Sequence, residues 1–194
     1  MNKKFFLLNK YLIVIIGIIS LICTTGLLDN KFNITIFRMF TTISNIMVVI
    51  YFIIDLFYLK KYKKTFCPVI KQMVTLNITI TFLIVVFILR MGFNFNSFFS
   101  AAFLGLHFLV PILTIIDAII FDKKGLIKAY YPFIWIIPVF IYISVCLIFK
   151  VYPYPFINVN KLGLQKVLLT CFILAIIFLL LSYIYYFIDK KLKK

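Results

Sequence analysis

Six apolar runs, each long enough to cross a bilayer, divide this chain, and lysine clusters separate them. A helix needs about 20 apolar residues to cover the hydrocarbon core. The runs lie near 11–28, 37–59, 73–91, 99–121, 129–149 and 165–188. Lipid offers no partner to a free backbone N–H or C=O, so a spanning segment must be a helix or part of a closed barrel. Barrel strands alternate polar and apolar residues over short lengths, whereas these runs are continuously apolar. The expected fold is therefore all-α: a polytopic membrane protein, with one bundle of six transmembrane helices forming a single domain over 1–194.

Composition excludes the other classes. Of 194 residues, 65% are hydrophobic and only 13% charged, against about a quarter charged in a soluble domain, and mean hydropathy is +1.16. Such a chain cannot cover itself in water, which rules out a soluble globular domain, a disordered chain and a disulfide-stapled secreted scaffold. The high Ile, Phe, Asn and Lys content suggests an AT-rich bacterial genome. Cys23, Cys67, Cys146 and Cys171 show no C-x-x-C spacing and read as apolar packing residues.

Twenty-one Lys and Arg face five Asp and no Glu, for a net charge of +16. In a soluble protein that balance would suggest nucleic acid. Here the basic residues punctuate apolar runs, so they read as topology signals and contacts to anionic lipid, with no nucleic-acid partner. With the N-terminus cytoplasmic, fifteen fall inside: Lys3, Lys4, Lys10, Lys60, Lys61, Lys63, Lys64, Lys71, Lys123, Lys124, Lys128, Lys190, Lys191, Lys193 and Lys194. Six fall outside: Lys31, Arg38, Arg90, Lys150, Lys161 and Lys166. Both termini are therefore expected in the cytoplasm, with the protein a multi-pass component of the cell membrane. The start resembles a signal peptide, but its apolar run is long and no small-x-small site follows cleanly, so an uncleaved first span is the better reading. The longest connection, 60–72, is a basic loop, and no soluble domain is expected.

Polar residues inside spans are costly and each asks for a reason. The second span opens Phe40-Thr41-Thr42-Ile43-Ser44-Asn45 and reaches Asp55 near its inner end. Thr41, Ser44, Asn45 and Asp55 share roughly a third of the helix surface at about 100° per residue. Interhelical hydrogen bonding is the plain explanation for the Thr and Ser residues. The fourth span carries Gly105, His107, Pro111, Thr114 and Asp117, and His107 is the sole histidine. Pro111 lacks a donor and so frees a carbonyl near His107. Thr41 and Thr42 should sit at about the depth of His107, so a hydroxyl and an imidazole on facing helices could form a nucleophile–base pair. Asp117 is ten residues past His107, about 15 Å along a helix, too far to orient it. Asp55 and Asp117 read as inner-surface anchors that pair through water with basic loop residues such as Lys60 or Lys124.

The loop 150–161 contains Tyr152, Pro153, Tyr154, Pro155 and Phe156. It reads as an interfacial cap, or as a lid over the outer ends of spans two and four. Arg90 reads as a snorkelling residue with the option of holding a phosphate or carboxylate. Asn33-Ile34-Thr35 and Asn77-Ile78-Thr79 match the glycosylation pattern, but the second lies in a span.

Taken in order, Phe40-Thr41-Thr42-Ile43-Ser44-Asn45, Gly105-Leu106-His107 with Pro111, and Tyr154-Pro155-Phe156 resemble the androgen-induced-gene (ADTRP-like) family of six-pass membrane proteins and its bacterial relatives. The resemblance spans nearly the whole chain and rests on the ordered set. Animal members are threonine hydrolases that cleave fatty acid esters of hydroxy fatty acids, so the resemblance implies an intramembrane esterase using His107 and a threonine. Thr41 fits the bacterial Phe-Thr-x-x-Ser-Asn pattern; Thr42 fits the animal spacing to a following polar residue. The proline after the histidine falls one position earlier than in animal members.

The expected function is thus hydrolysis of lipid fatty-acyl esters, with Ser44 or Asn45 positioning the threonine or stabilising an oxyanion. Neither metal nor cofactor is expected, since one histidine without a nearby carboxylate pair is a poor metal site. Membrane lipids, including a fatty-acyl ester substrate, are the expected partners. The alternative is a non-catalytic membrane protein, such as a small transporter subunit or an assembly factor. A channel is less well served, because six short-looped spans show no evident selectivity filter.

Overall fold

The computed structural model describes residues 3–88 and 100–193, all helix, turn or loop. Arg90 lies outside the described residues. Six helices have the length and apolarity to cross a membrane: α1 (Lys3–Thr25), α2 (Phe40–Tyr62), α3 (Pro68–Ile88), α4 (Ala102–Phe121), α5 (Tyr131–Ile148) and α6 (Leu164–Lys191). Their outer faces leave large apolar side chains such as Phe57, Phe87, Phe172 and Leu180 exposed, as a lipid-facing surface requires. Packing is split between two clusters. One joins α1, α2, α3 and α4 through Ile13, Val48, Phe52, Ile78 and Val110. The other joins α3, α5 and α6 through Leu76, Ile80, Trp135, Val139, Leu174 and Phe178.

Helix α3 belongs to both clusters and carries most of the polar stitching. Thr75, Thr79 and Thr81 each donate to the carbonyl four residues back, a local bond that removes the cost of an apolar-buried hydroxyl. Thr79 also meets the Tyr185 hydroxyl of α6 at 2.8 Å, and Thr81 meets Ser44 of α2 at 2.8 Å.

Two prolines inside helices create two helix contacts by the same chemistry. In α4, residues Gly105–Leu109 form a π-helical turn, and the Val110 N–H reaches back to Gly105 O. That leaves Leu106 O without its α-helical donor, and the next candidate, Pro111, has no N–H. Asn45 Nδ2 of α2 donates to it at 3.1 Å, while also donating to Thr41 O of its own helix at 2.8 Å. In α5, Pro138 interrupts the ladder and the Val139 N–H turns to Ile136 O. Trp135 O is left free, and Asn77 Nδ2 of α3 donates to it at 3.1 Å, again alongside its own helix's Met73 O at 2.7 Å. In hydrocarbon a free carbonyl costs several kcal/mol, so each asparagine fixes one helix against another.

At one end of the bundle an ionic network ties four helices. Lys10 Nζ of α1 lies 2.7 Å from Asp55 Oδ2 of α2 and 3.0 Å from Asp117 Oδ2 of α4. Lys71 of α3 pairs with Asp117 and with Asp122, just past α4. Asn9 Nδ2 donates to Asp117 Oδ1 at 3.1 Å, and Asp55 Oδ1 accepts the Phe66 N–H at 2.7 Å. Lys10, Asp55, Lys71 and Asp117 are all at most 1% exposed. The anchoring role expected of Asp55 and Asp117 holds in this geometry, but the expected partners do not. Lys10 and Lys71, inside the helices, take the place of Lys60 and Lys124. Lys60 is exposed, and Lys124 donates instead to Ala118 O at 2.6 Å. A buried carboxylate requires a cation brought to it without water; Lys10 and Lys71 lie on the packed faces of α1 and α3, whereas Lys60 is on an exposed face of the last turn of α2.

Asp189 near the end of α6 accepts the N–H groups of Gly125 and Ile127, in the loop that follows Asp122. The start of α1 and the end of α6 therefore lie at the same end of the bundle as the ionic network.

Candidate functional site

The residues singled out in α2 gather at the opposite end of the bundle. Their placement begins with the chain before the helix. Asn33 Oδ1 accepts from both the N–H and the hydroxyl of Thr35, closing a 3₁₀ turn over Ile34–Arg38. Met39 is then extended (φ −84°, ψ 132°), and α2 starts at Phe40. The helix thus begins three residues later than the apolar run suggests. The shift puts Thr41 and Thr42 in the first turn, where N–H groups have no partner within the helix.

The Thr41 N–H donates to the Tyr154 hydroxyl oxygen at 3.3 Å, and Thr41 Oγ1 lies 3.3 Å from the same oxygen. Ser44 Oγ donates to Thr41 O at 3.0 Å in addition to its contact with Thr81. Tyr154 comes from the loop expected as a lid. It is 7% exposed and stacked on Phe156 with ring centroids 5.3 Å apart and an interplanar angle of 11°. Burial pushes its phenol above the ordinary range, and the hydrogen bonds with Thr41 oppose the rise. The group facing Thr41 is a neutral phenol. Nearby, the Tyr142 hydroxyl donates to Arg38 O at 2.9 Å, which joins α5 to the start of α2.

These residues wall a narrow, nearly closed cleft of about 20 Å³ between α2, α3, α5 and α6. Its lining is apolar (Ile80, Val139, Ile157, Leu174 and Phe178 among others), with Thr41, Thr81, Tyr142 and Tyr154 as the hydroxyl bearers. Thr41 faces this space, and Thr42, 2% exposed, is not among the lining residues. Phe156 lines the cleft as well. Tyr152 and Pro155 are not part of its wall.

His107 sits in the π-helical turn of α4, with its ring 4.7 Å from that of Phe103. Its Nδ1 is buried and has no hydrogen-bond partner. Among the described residues no hydrogen bond joins the imidazole to Thr41 or Thr42. The structure does bring α2 and α4 together at the expected level, through the Asn45–Leu106 bond one residue from His107. Asn45 Oδ1 is likewise buried without a partner. Thr114 donates to Val110 O at 2.7 Å and stays within its helix.

Sequence reasoning did not single out Thr81 or Tyr142. Thr81 had a usable signal, since Thr75, Asn77, Thr79 and Thr81 form a polar series within an apolar run. Tyr142 had none, being one of twelve tyrosines. Among the described residues no group of three or more His, Cys or Asp side chains could hold a metal ion. No protein-family model, curated protein or solved structure matches the chain.

Proposed function

We propose that this protein hydrolyses fatty-acyl esters within the membrane, in the manner of the androgen-induced-gene family it resembles, with Thr41 as nucleophile. The observation that carries this reading is the position of Thr41: a hydroxyl on an apolar cleft, at a helix N-terminus whose own N–H points to the same oxygen atom. The Tyr154 hydroxyl occupies the place an ester carbonyl oxygen would take. Substrate displaces it, and the Thr41 N–H together with the positive end of the helix dipole then stabilises the developing oxyanion.

Thr41 Oγ1 attacks the carbonyl carbon and its proton passes to His107 Nδ1, which is buried and free to accept. The imidazole must close on Thr41 for this step. Collapse of the tetrahedral intermediate expels the alcohol, which takes that proton. Water then cleaves the acyl-threonine, releasing the fatty acid and restoring Thr41. The cleft widens to admit the acyl chain, which then lies along Ile80, Leu174 and Phe178. Asn45 keeps α2 and α4 in register for the two groups to meet. We place the lysine-rich end of the bundle at the cytoplasmic face of a bacterial cell membrane, so the cleft opens toward the outer leaflet.

The rival reading is a non-catalytic membrane protein, favoured by the closed Thr41–Tyr154 contact, which also serves as a packing bond. Purified protein in micelles separates them, assayed with a fluorogenic fatty-acyl ester and a fluorophosphonate label. The hydrolase reading expects Thr41→Ala to abolish turnover and labelling, His107→Ala to lower turnover at least about 100-fold, and Thr42→Ala to retain it. Turnover that is absent, or indifferent to Thr41→Ala, assigns the non-catalytic role.

A further inference from the structure

A second concave surface lies far from the cleft, at the lysine-rich end. It is a groove of about 760 Å³ between α1 and α2. Leu7, Tyr11 and Val14 form one wall, Ile53 and Leu56 the other, and Lys60 and Lys63 stand at its end. Ten residues separate Ile53 from Lys63, about 15 Å of helix. That is about half the ~30 Å hydrocarbon core, the thickness of one leaflet.

Among the described residues, Asp55, Asp117 and Asp122 pair with Lys10 and Lys71 and not with Lys60 or Lys63, and Asp189 accepts the N–H groups of Gly125 and Ile127. Lys60 and Lys63 are both exposed at the end of α2. Lys63 takes a left-handed conformation (φ 57°) with its N–H on Leu59 O, and its Nζ donates to Lys60 O at 3.1 Å. The turn thereby holds the Lys63 ammonium over the last turn of α2, and both lysines line the same end of the groove. Lys61 and Lys64 raise the local positive charge further and disfavour a headgroup that carries its own ammonium.

We infer that this groove binds one anionic phospholipid, with an acyl chain between α1 and α2 and the headgroup phosphate on Lys60 and Lys63. An apolar channel of one leaflet's length ending in paired cations matches that molecule, and the site is separate from the ester chemistry proposed at Thr41.

The test is native mass spectrometry of the full chain in micelles, titrated with phosphatidylglycerol or phosphatidylcholine of identical acyl chains. One saturable phosphatidylglycerol is expected, retained in preference to phosphatidylcholine. Each lysine contact near a membrane surface contributes about fivefold, so Lys60→Ala/Lys63→Ala should lower the preference by roughly 25-fold. Both substitutions are on exposed side chains and leave the core intact. Leu56→Trp, which fills the channel, should reduce retention of both lipids while keeping the preference between them. Excess inorganic phosphate should not displace the lipid. Equal retention of the two lipids, an unchanged preference in the double variant, or displacement by inorganic phosphate would each overturn the inference.

Discussion

Replacing Lys10 with methionine removes one cation from a dry network of two lysines and three aspartates. Lys10 is fully buried, 2.7 Å from Asp55 and 3.0 Å from Asp117, with its ammonium 4.7 Å and 4.9 Å from the Phe6 and Phe52 ring centroids. Methionine fills the space without the charge. Asp55 then keeps only the Phe66 N–H, and Lys71, which pairs with Asp117 and Asp122, is the one cation left in a network of three carboxylates. Breaking a buried pair in this way costs about 3–5 kcal/mol. Asp117→Asn should be milder although Asp117 touches both lysines. Lys10 retains Asp55, Lys71 retains Asp122, and two cations then face two anions. The loss is of charge-assisted hydrogen bonds, about 1.5–3 kcal/mol. Lys10→Met/Asp55→Asn removes the stranded charge, and its cost should fall below the sum of the single costs by about 1–3 kcal/mol. Unfolding in mixed micelles, followed by far-ultraviolet circular dichroism, measures the wild type, the three single variants (Lys10→Met, Asp55→Asn and Asp117→Asn) and the double variant. An Asp117→Asn cost equal to that of Lys10→Met, or strictly additive costs in the double variant, would refute the charge-count argument.

Other consequences are equally open to measurement. Asn45→Ala should cost about 1–3 kcal/mol by stranding Leu106 O, and Pro111→Ala, which returns a donor to the helix, should recover part of that loss in the double variant; the same unfolding assay reads both. A Cβ at Gly105 would fall 1.8 Å from Ser20 Oγ, so Gly105→Ala should cost about 1–3 kcal/mol, and Ser20→Gly should relieve it. The Asp122 carboxyl is raised by burial, with Lys71 pulling it down less strongly. In the window from the ordinary carboxylate range up to its raised value, the folded state holds a proton the unfolded state has lost. Stability should therefore fall as pH rises through that window. A midpoint-against-pH series should show the decline in the wild type and lose it in Asp122→Asn.

What each level of description determines can be traced residue by residue. Continuous apolar runs separated by lysines settle six membrane-length helices, because a backbone in lipid has no other way to satisfy its polar groups. The helix boundaries needed more. The start of α2 at Phe40 depends on Asn33 capping a 3₁₀ turn and on Met39 being extended, and hydropathy does not register either. The proline in α4 was legible as the source of a free carbonyl near His107, and Asn45 as a residue needing a partner. That Leu106 O and Asn45 satisfy each other depends on a π-helical turn and on the rotation of two helices about their axes. The Thr41 hydroxyl was legible as a candidate, but its companion Tyr154 lies 113 positions away, and no local pattern relates them.

The same division explains the aspartates. Their presence in apolar helices announced a need for cations, and local order pointed to the nearest basic loops. The tertiary structure instead supplied Lys10 and Lys71, because a carboxylate sealed from water is stabilised only by a charge that packing carries to it. Periodicity and hydropathy are properties of neighbours along the chain and set the helices. Which faces meet, which carbonyl an asparagine reaches and which lysine a buried aspartate holds are properties of neighbours in space, and only the packed bundle decides them.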